Sequence, residues 1–291
     1  MVETIVVFGH RGWIASYLIP VLEAEGFLVV CADVRADDAE AVETFLDSLS
    51  PKPGYVLSLI GRTHGGGINT IDYLEQPGKL VENLRDNLFA PWVLEQVCVK
   101  KGLHFTYFGT GCIFCNEDPA NSRPYTEEDD PDFFGSSYSI VKGFTDRMMR
   151  VNNQSLNVRI RMPIVGDLSA RNFVTKIVRY DRVCSIPNSM SVLPTLFPAL
   201  CTLIRRRHRG TVNLVNPGCI THNEILGMYR DIVDPTFTWK NFTLEEQNEV
   251  LASKRSNNVL STRMLLDMCP NVPDIHTAVR EMMVCMKVER T

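Results

Sequence analysis

The apolar run Thr4-Ile5-Val6-Val7-Phe8 ends in Gly9-His10-Arg11-Gly12-Trp13-Ile14-Ala15, and a helical pattern follows at once. This strand, glycine turn and helix start constrain the chain more than any other stretch. Gly9 lets the backbone turn sharply, Gly12 allows a phosphate group to approach it, and Ala15 keeps helix and sheet close. Amides at such a helix start point toward an anion. The same alternation then repeats. Strands are expected at 27–32, 55–60 and 104–109, with helices at 13–25, 39–49, 78–100 and from about 137 to 150. That order demands a parallel sheet with crossover helices.

The expected fold class is α/β: a Rossmann-type parallel sheet with helices on both faces and a smaller C-terminal substrate lobe. We place the dinucleotide-binding domain at 1–165 and the substrate lobe at 166–291, with interleaving between them. A fifth strand is expected at 157–161. Beyond Val165 prolines recur at 187, 194, 198, 217, 235, 270 and 273, and the segments shorten. Here a strand at 211–215 and a helix at 223–232 are expected, and 234–240 reads as loop.

Cofactor contacts follow from this frame. Gly9, Arg11, Gly12, Trp13 and Ile14 form the turn, while Leu59, Ile60 and Gly61 end the third strand beside it. Asp33 ends the second strand, where an acid can hold a ribose 2′-hydroxyl. Arg35, two residues on, suits a 2′-phosphate instead. The expected cofactor is therefore NADPH, with NADH also accommodated. Gly65-Gly66-Gly67 reads equally as a loop over the cleft or as an exposed turn.

Net charge is −4 over 291 residues, so no global field favours nucleic acid or an anionic membrane. The nine cysteines are odd in number and scattered, which fits thiols in a reducing cytoplasm. Cys112 and Cys115 form a C-x-x-C without a second pair or histidine cluster, so no metal is expected. The basic run Arg205-Arg206-Arg207-His208-Arg209 reads as a helix C-terminus capped by Gly210.

Thr110 follows the fourth strand at the carboxyl edge of the sheet. Tyr138 and Lys142 lie one helical turn apart, on one face of the helix that begins near Ser137. An ammonium beside a phenol lets it donate a proton near neutral pH. With Thr110 hydrogen-bonded to a carbonyl, the set suits ketone reduction by a nicotinamide. Cys112 is two residues from Thr110. By itself it reads equally as a small buried apolar residue, and Lys176 as a surface helix charge.

Several blocks carry a family likeness: G-x-x-G-W-I at 9–14, T-G-C-I-F at 110–114, E-E-D-x-P at 127–131 and Y-S-x-x-K at 138–142. Further on come R-x-R-M-P-I at 159–164, R-N-F-V-T-K at 171–176, I-P-N-S-M at 186–190, N-P-G at 216–218 and H-N-E-I-L at 222–226. M-Y-R-D at 228–231, T-W-K-N-F-T-L-E-E-Q at 238–247 and R-S-N-N at 255–258 complete them. The chain resembles the extended short-chain dehydrogenase/reductases, and within them the nucleotide-rhamnose epimerase/reductases. The resemblance implies conversion of a UDP-linked 4-keto-6-deoxy-glucose to UDP-L-rhamnose, by epimerisation at C3 and C5 and NAD(P)H reduction at C4. It makes Cys112 and Lys176 the epimerising acid/base pair and Thr110, Tyr138 and Lys142 the reducing set, with both activities in one cleft. Asn172, Arg255, Asn257 and Asn258 become candidates for holding sugar or UDP, against a role in helix caps and loops. The expected partner is a UDP-sugar, with no nucleic acid or membrane and a homodimer left open. The rivals are a 4-reductase alone and a non-catalytic nucleotide-sensing subunit.

Overall fold

A computed structural model describes residues 3–116, 118 and 121–290. Contacts divide the chain into two compact units. The first comprises residues 1–110, 136–159 and 197–212; the second comprises 111–135, 160–196 and 213–291.

The first half alternates as its sequence requires: β1 (Glu3–Phe8), α1 (Trp13–Ala24), β2 (Phe27–Ala32), α2 (Ala39–Ser48) and β3 (Tyr55–Ser58). After a 3-10 turn (Ile71–Glu75) come α3 (Leu80–Leu84), a π-helical turn (Arg85–Phe89), α4 (Ala90–Lys101) and β4 (His104–Thr110). Next are α5 (Ser137–Asn152), β5 (Leu156–Ile160), α6 (Phe173–Ile177), α7 (Leu193–Arg205), β6 (Gly210–Asn213) and α8 (His222–Ile232). The chain ends with α9 (Leu244–Val250), α10 (Arg263–Met268) and α11 (Ile275–Arg290).

Six strands form one parallel sheet in the order β2-β1-β3-β4-β5-β6. β1 pairs with β2 on one side (Glu3 opposite Phe27) and with β3 on the other (Ile5 opposite Tyr55). The chain therefore reverses its winding between β1 and β3, the place where open α/β sheets leave a crevice. Val6, Phe8, Val56, Phe105 and Tyr107 pack with Val42, Leu94 and Met149 of the flanking helices. The alternate residues Ile5 and Val7 face the other side and are equally buried. In the second unit Ile164, Val174, Met190, Ile225, Val279 and Met283 share a separate core.

Three expectations are corrected. The single helix at 78–100 is broken by the π-helical turn, and Pro91 is the reason. Its ring nitrogen has no proton to donate to the carbonyl of Asn87, four residues earlier. The Thr145 hydroxyl takes that carbonyl instead, at 2.7 Å. The basic run is also capped differently: Arg207 adopts the left-handed conformation (φ 48°), and Gly210 (φ 98°) opens β6. Its cations are engaged locally, Arg205 with Glu25 at 2.8 Å and Arg207 over the Tyr55 ring. Finally, the proline-rich C-terminal half holds two long helices. α7 contains Pro198, and α11 runs sixteen residues with Met282, Met283 and Met286 facing its core.

Gly65 to Gly67 close a tight hairpin turn. Gly65 and Ile68 exchange backbone hydrogen bonds, and Gly66 and Gly67 both have positive φ.

Candidate active site

The glycine turn lies at the β1/β3 reversal. Gly9 has φ 80°, and a Cβ there would sit 2.9 Å from the Leu59 carbonyl carbon. No side chain fits, so the end of β1 and the Leu59-Ile60 backbone can approach each other closely. Gly12 caps α1 with extended backbone and no side-chain hydrogen bond. The helix start is thus left to receive an external acceptor, and the turn fits a dinucleotide pyrophosphate. Beside it Arg11 donates to Asp33 at 2.6 Å, with His10 3.5 Å from the same carboxylate. Arg35 forks onto Asp37 at 2.9 and 2.7 Å. The guanidinium next to Asp33 is therefore that of Arg11, not Arg35.

Thr110 is the last residue of β4 and 7% exposed. Tyr138 and Lys142 both lie buried on α5, whose start is capped by Ser136 through its bond from the Ser139 amide. The Lys142 ammonium donates to the Tyr107 hydroxyl and, at 3.1 Å, to the Phe108 carbonyl. It also lies 4.4 Å from the centre of the Tyr107 ring. Burial pushes the Tyr107 phenol well above its ordinary value near 10, so it stays neutral as an acceptor. Tyr107 reads in sequence as an ordinary strand core residue, and no local signal marks it as a partner of Lys142.

A chain of amides joins the segment that follows β3 to α5. Asn87 is wholly buried; its Oδ1 accepts from the Arg62 amide at 3.0 Å and its Nδ2 donates to the Arg62 carbonyl at 2.9 Å. Asn87 also donates to Asn83, which in turn donates to the Ser137 hydroxyl at 3.3 Å. The segment after Gly61 is thus tied to the helix that carries Tyr138 and Lys142.

Cys112 and Lys176 belong to the second unit. Cys112 is partly exposed on a turn just after β4. Lys176 lies half-buried on α6, and burial, reinforced by the Arg171 cation, lowers its ammonium from the ordinary value near 10.5. Such a lysine is better suited to exchange a proton near neutrality than an exposed one.

The four proposed sugar or UDP contacts are held as follows. Asn172 is fully buried, and its amide donates to the Val165 and Asp167 carbonyls at 2.9 and 2.6 Å. Arg255 donates to Ser253. Asn257 accepts from Asn188 at 3.0 Å. Asn258, also fully buried, donates to the Gly111 and Phe114 carbonyls at 3.0 and 2.8 Å.

Arg161 stands within R-x-R-M-P-I, and nothing local in the sequence signals the contacts it makes. It is 1% exposed and bonds the Asn188 side chain, both oxygens of Ser256 and the Gly111 carbonyl. Burial lowers its guanidinium, while the Cys112 and Cys115 thiols favour its charged form. Among the described residues no group of His, Cys, Asp and Glu could hold a metal ion, and no helix is long and apolar enough to cross a membrane.

The chain is similar to several known proteins. The solved structure of the UDP-rhamnose synthase of Acanthamoeba polyphaga mimivirus is 49% identical, with a TM-score of 0.94. The match covers 98% of this chain and all of that one. An Arabidopsis thaliana bifunctional dTDP-4-dehydrorhamnose 3,5-epimerase/dTDP-4-dehydrorhamnose reductase is 39% identical over 92% of this chain and 88% of its own length. A dTDP-4-dehydrorhamnose reductase of Bacillus anthracis, solved in complex with NADP, shares the fold at 16% identity and a TM-score of 0.81. It covers 98% of this chain and 99% of that one. Residues 5–180 match the NAD dependent epimerase/dehydratase family, and the chain belongs to that family.

Proposed function

We propose that this protein makes UDP-L-rhamnose from UDP-4-keto-6-deoxy-D-glucose, by epimerisation at C3 and C5 followed by NAD(P)H-dependent reduction at C4. The observation that carries this reading is the full-length likeness, at 49% identity, to a UDP-rhamnose synthase. The likeness to a bifunctional 3,5-epimerase/reductase supports two activities in one chain.

Protons on C3 and C5 are acidic because each carbon is alpha to the C4 ketone. Inversion needs a group that removes the proton from one face and another that returns one to the opposite face. Cys112 and Lys176 fill these roles, and the lowered ammonium of Lys176 supports proton exchange there. In the reduction, Tyr138 gives its proton to the oxygen on C4, and Thr110 hydrogen-bonds the same oxygen. Lys142 holds positive charge beside the phenol and stabilises it once the proton has left. The bound nicotinamide supplies the hydride. Gly9, Gly12 and the start of α1 hold its pyrophosphate; Asp33 suits a ribose hydroxyl and Arg11 a 2′-phosphate.

The test is direct. Purified protein with only the 4-keto-6-deoxy sugar nucleotide and NADPH should give product of L-rhamnose configuration by NMR. Recovery of unreacted ketone, or of the unepimerised 6-deoxy sugar, would refute the reading and favour a reductase alone. Tyr138→Phe should slow reduction about 10²- to 10⁴-fold while cofactor binding, read by fluorescence titration, stays intact. Arg11→Ala should weaken NADPH about tenfold through loss of a charge-assisted contact and leave NADH nearly unchanged. Equal loss for both cofactors would remove Arg11 from the 2′-phosphate.

A further inference from the structure

Four blocks far apart in the sequence meet behind Cys112: Gly111 to Phe114, Arg161, Asn188, and Ser256 to Asn258. The Asn258 side-chain amide donates to the Gly111 carbonyl at 3.0 Å and to the Phe114 carbonyl at 2.8 Å. It therefore bridges the two ends of the turn that carries Cys112. Ser256 bonds the Phe114 carbonyl at 2.5 Å and accepts from Asn258 at 2.9 Å. Arg161 reaches the Gly111 carbonyl at 3.3 Å, and Gly111 donates its own amide to Ile160 at 3.0 Å. Asn258 is itself locked, since its backbone amide donates to the Asn188 side chain at 3.0 Å.

Each member is at least nine-tenths buried: Arg161 is 1% exposed, Asn188 and Asn258 0%, Ser256 7% and Asn257 8%. The turn is also pressed from behind. A Cβ at Gly111 would lie 2.6 Å from Leu260 Cδ1 and 2.9 Å from Arg161 Cγ. The Asn258 oxygen is buried without a partner. Its amide is oriented to direct its donors at the turn, because the Gly111 and Phe114 oxygens at that end are carbonyls that can only accept.

We propose that Asn258, backed by Arg161 and Ser256, is a positioning residue that sets the Cys112 thiol for proton transfer at the sugar. It does so through the Gly111–Phe114 turn and not by touching substrate. The inference rests on Cys112 acting in epimerisation. A proton-transfer group must lie within hydrogen-bond reach of the proton it moves, and a displacement of about 1 Å can cost about 100-fold in rate. Arg161 still reaches the Gly111 carbonyl and Ser256 the Phe114 carbonyl once the amide is gone, but neither side chain spans both ends of the turn as Asn258 does.

The experiment measures two reactions separately. Deuterium entry at C3 and C5 of the 4-keto-6-deoxy sugar nucleotide in D₂O reports epimerisation; NADPH oxidation with the pre-epimerised ketone reports reduction. Asn258→Ala should lower kcat for deuterium entry about 100-fold, with KM for the sugar nucleotide unchanged and reduction altered by only a small factor. A raised KM with unchanged kcat overturns the proposal in favour of direct contact with substrate. Parallel loss of both reactions overturns it in favour of a merely structural role. Should Asn258→Ala not fold, Ser256→Ala, which removes one of the two bonds to Phe114, must show the same kcat-specific loss in milder form. Cys112→Ala separates the two readings. If it leaves deuterium entry intact, the role of Cys112 fails and the positioning role fails with it. If it abolishes entry while Asn258→Ala does not, only the positioning role is overturned.

Discussion

Arg159 and Arg161 stand two residues apart, both guanidiniums are buried, and each unit deals with its cation differently. In the first unit Arg159 meets a carboxylate, donating to Asp146 at 2.9 and 2.7 Å, and Asn157 adds a third bond to the same carboxylate at 2.7 Å. Among the described residues of the second unit Arg161 finds only neutral acceptors, and its Nε has none. A cation with its own counter-ion forms a closed group that joins β5 to α5. A cation spread over carbonyls and amides instead ties together segments far apart in the chain. Burial lowers the Arg161 guanidinium for the same reason: among the described residues no carboxylate offsets its lost hydration.

The largest effect expected from this contrast is at Arg159. Arg159→Met leaves Asp146 buried without its partner and should destabilise the protein by about 3–5 kcal/mol in chemical denaturation. Adding Asp146→Leu should recover most of that loss. A double variant no better than the single would mean that the pair is not self-contained.

Arg161→Met comes next. It strands neutral oxygens and no counter-ion, so its cost should be smaller, about 1–3 kcal/mol. Deuterium entry at C3 and C5 should fall further than reduction. If Arg161→Met were the more destabilising of the two and changed both reactions alike, the contrast would collapse.

Acidification gives the smallest effect and sharpens the picture of the second unit. Burial pushes the His222 imidazole down to about 4 from 6.5, where it packs edge-on against Phe173. The folded protein then binds fewer protons than the unfolded chain between those two values. His222 contributes its full stability above about 6.5, and that contribution is lost as pH falls toward 4. The ring is half-buried, so the loss should be on the order of 1 kcal/mol. His222→Phe should flatten the denaturation midpoint between pH 6.5 and 4; an unchanged slope would assign the acid sensitivity elsewhere.

Legibility followed the range of the interactions. The turn at Gly9 and the helix starts at Trp13 and Ser137 are local, set by glycine and capping chemistry within a few residues, and the structure has them where the sequence puts them. Helix α8 likewise carries its start signal in Thr221 and Glu224, a reciprocal capping box. Helix α7 was hidden because Pro194 and Pro198 read as breaks, although Leu196, Phe197, Leu200, Leu203 and Ile204 repeat at helical spacing and are all buried. The π-helical turn was in principle readable from Pro91, but the sequence does not say that Thr145 would stand ready to take the freed carbonyl.

By itself the sequence determined the alternating α/β order, the dinucleotide turn, and the presence of Tyr138, Lys142, Cys112 and Lys176 as the candidate groups for proton transfer. Only the tertiary structure decided what holds them. Tyr107 and Lys142 lie 35 residues apart, Arg161 and Ser256 95, and Asn258 and Gly111 147. Hydrogen bonds to buried carbonyls depend on where two backbones come to rest, not on which residues are near in the chain. No spacing or periodicity encodes such a meeting, so the supports of a site become visible only once the chain has closed around them.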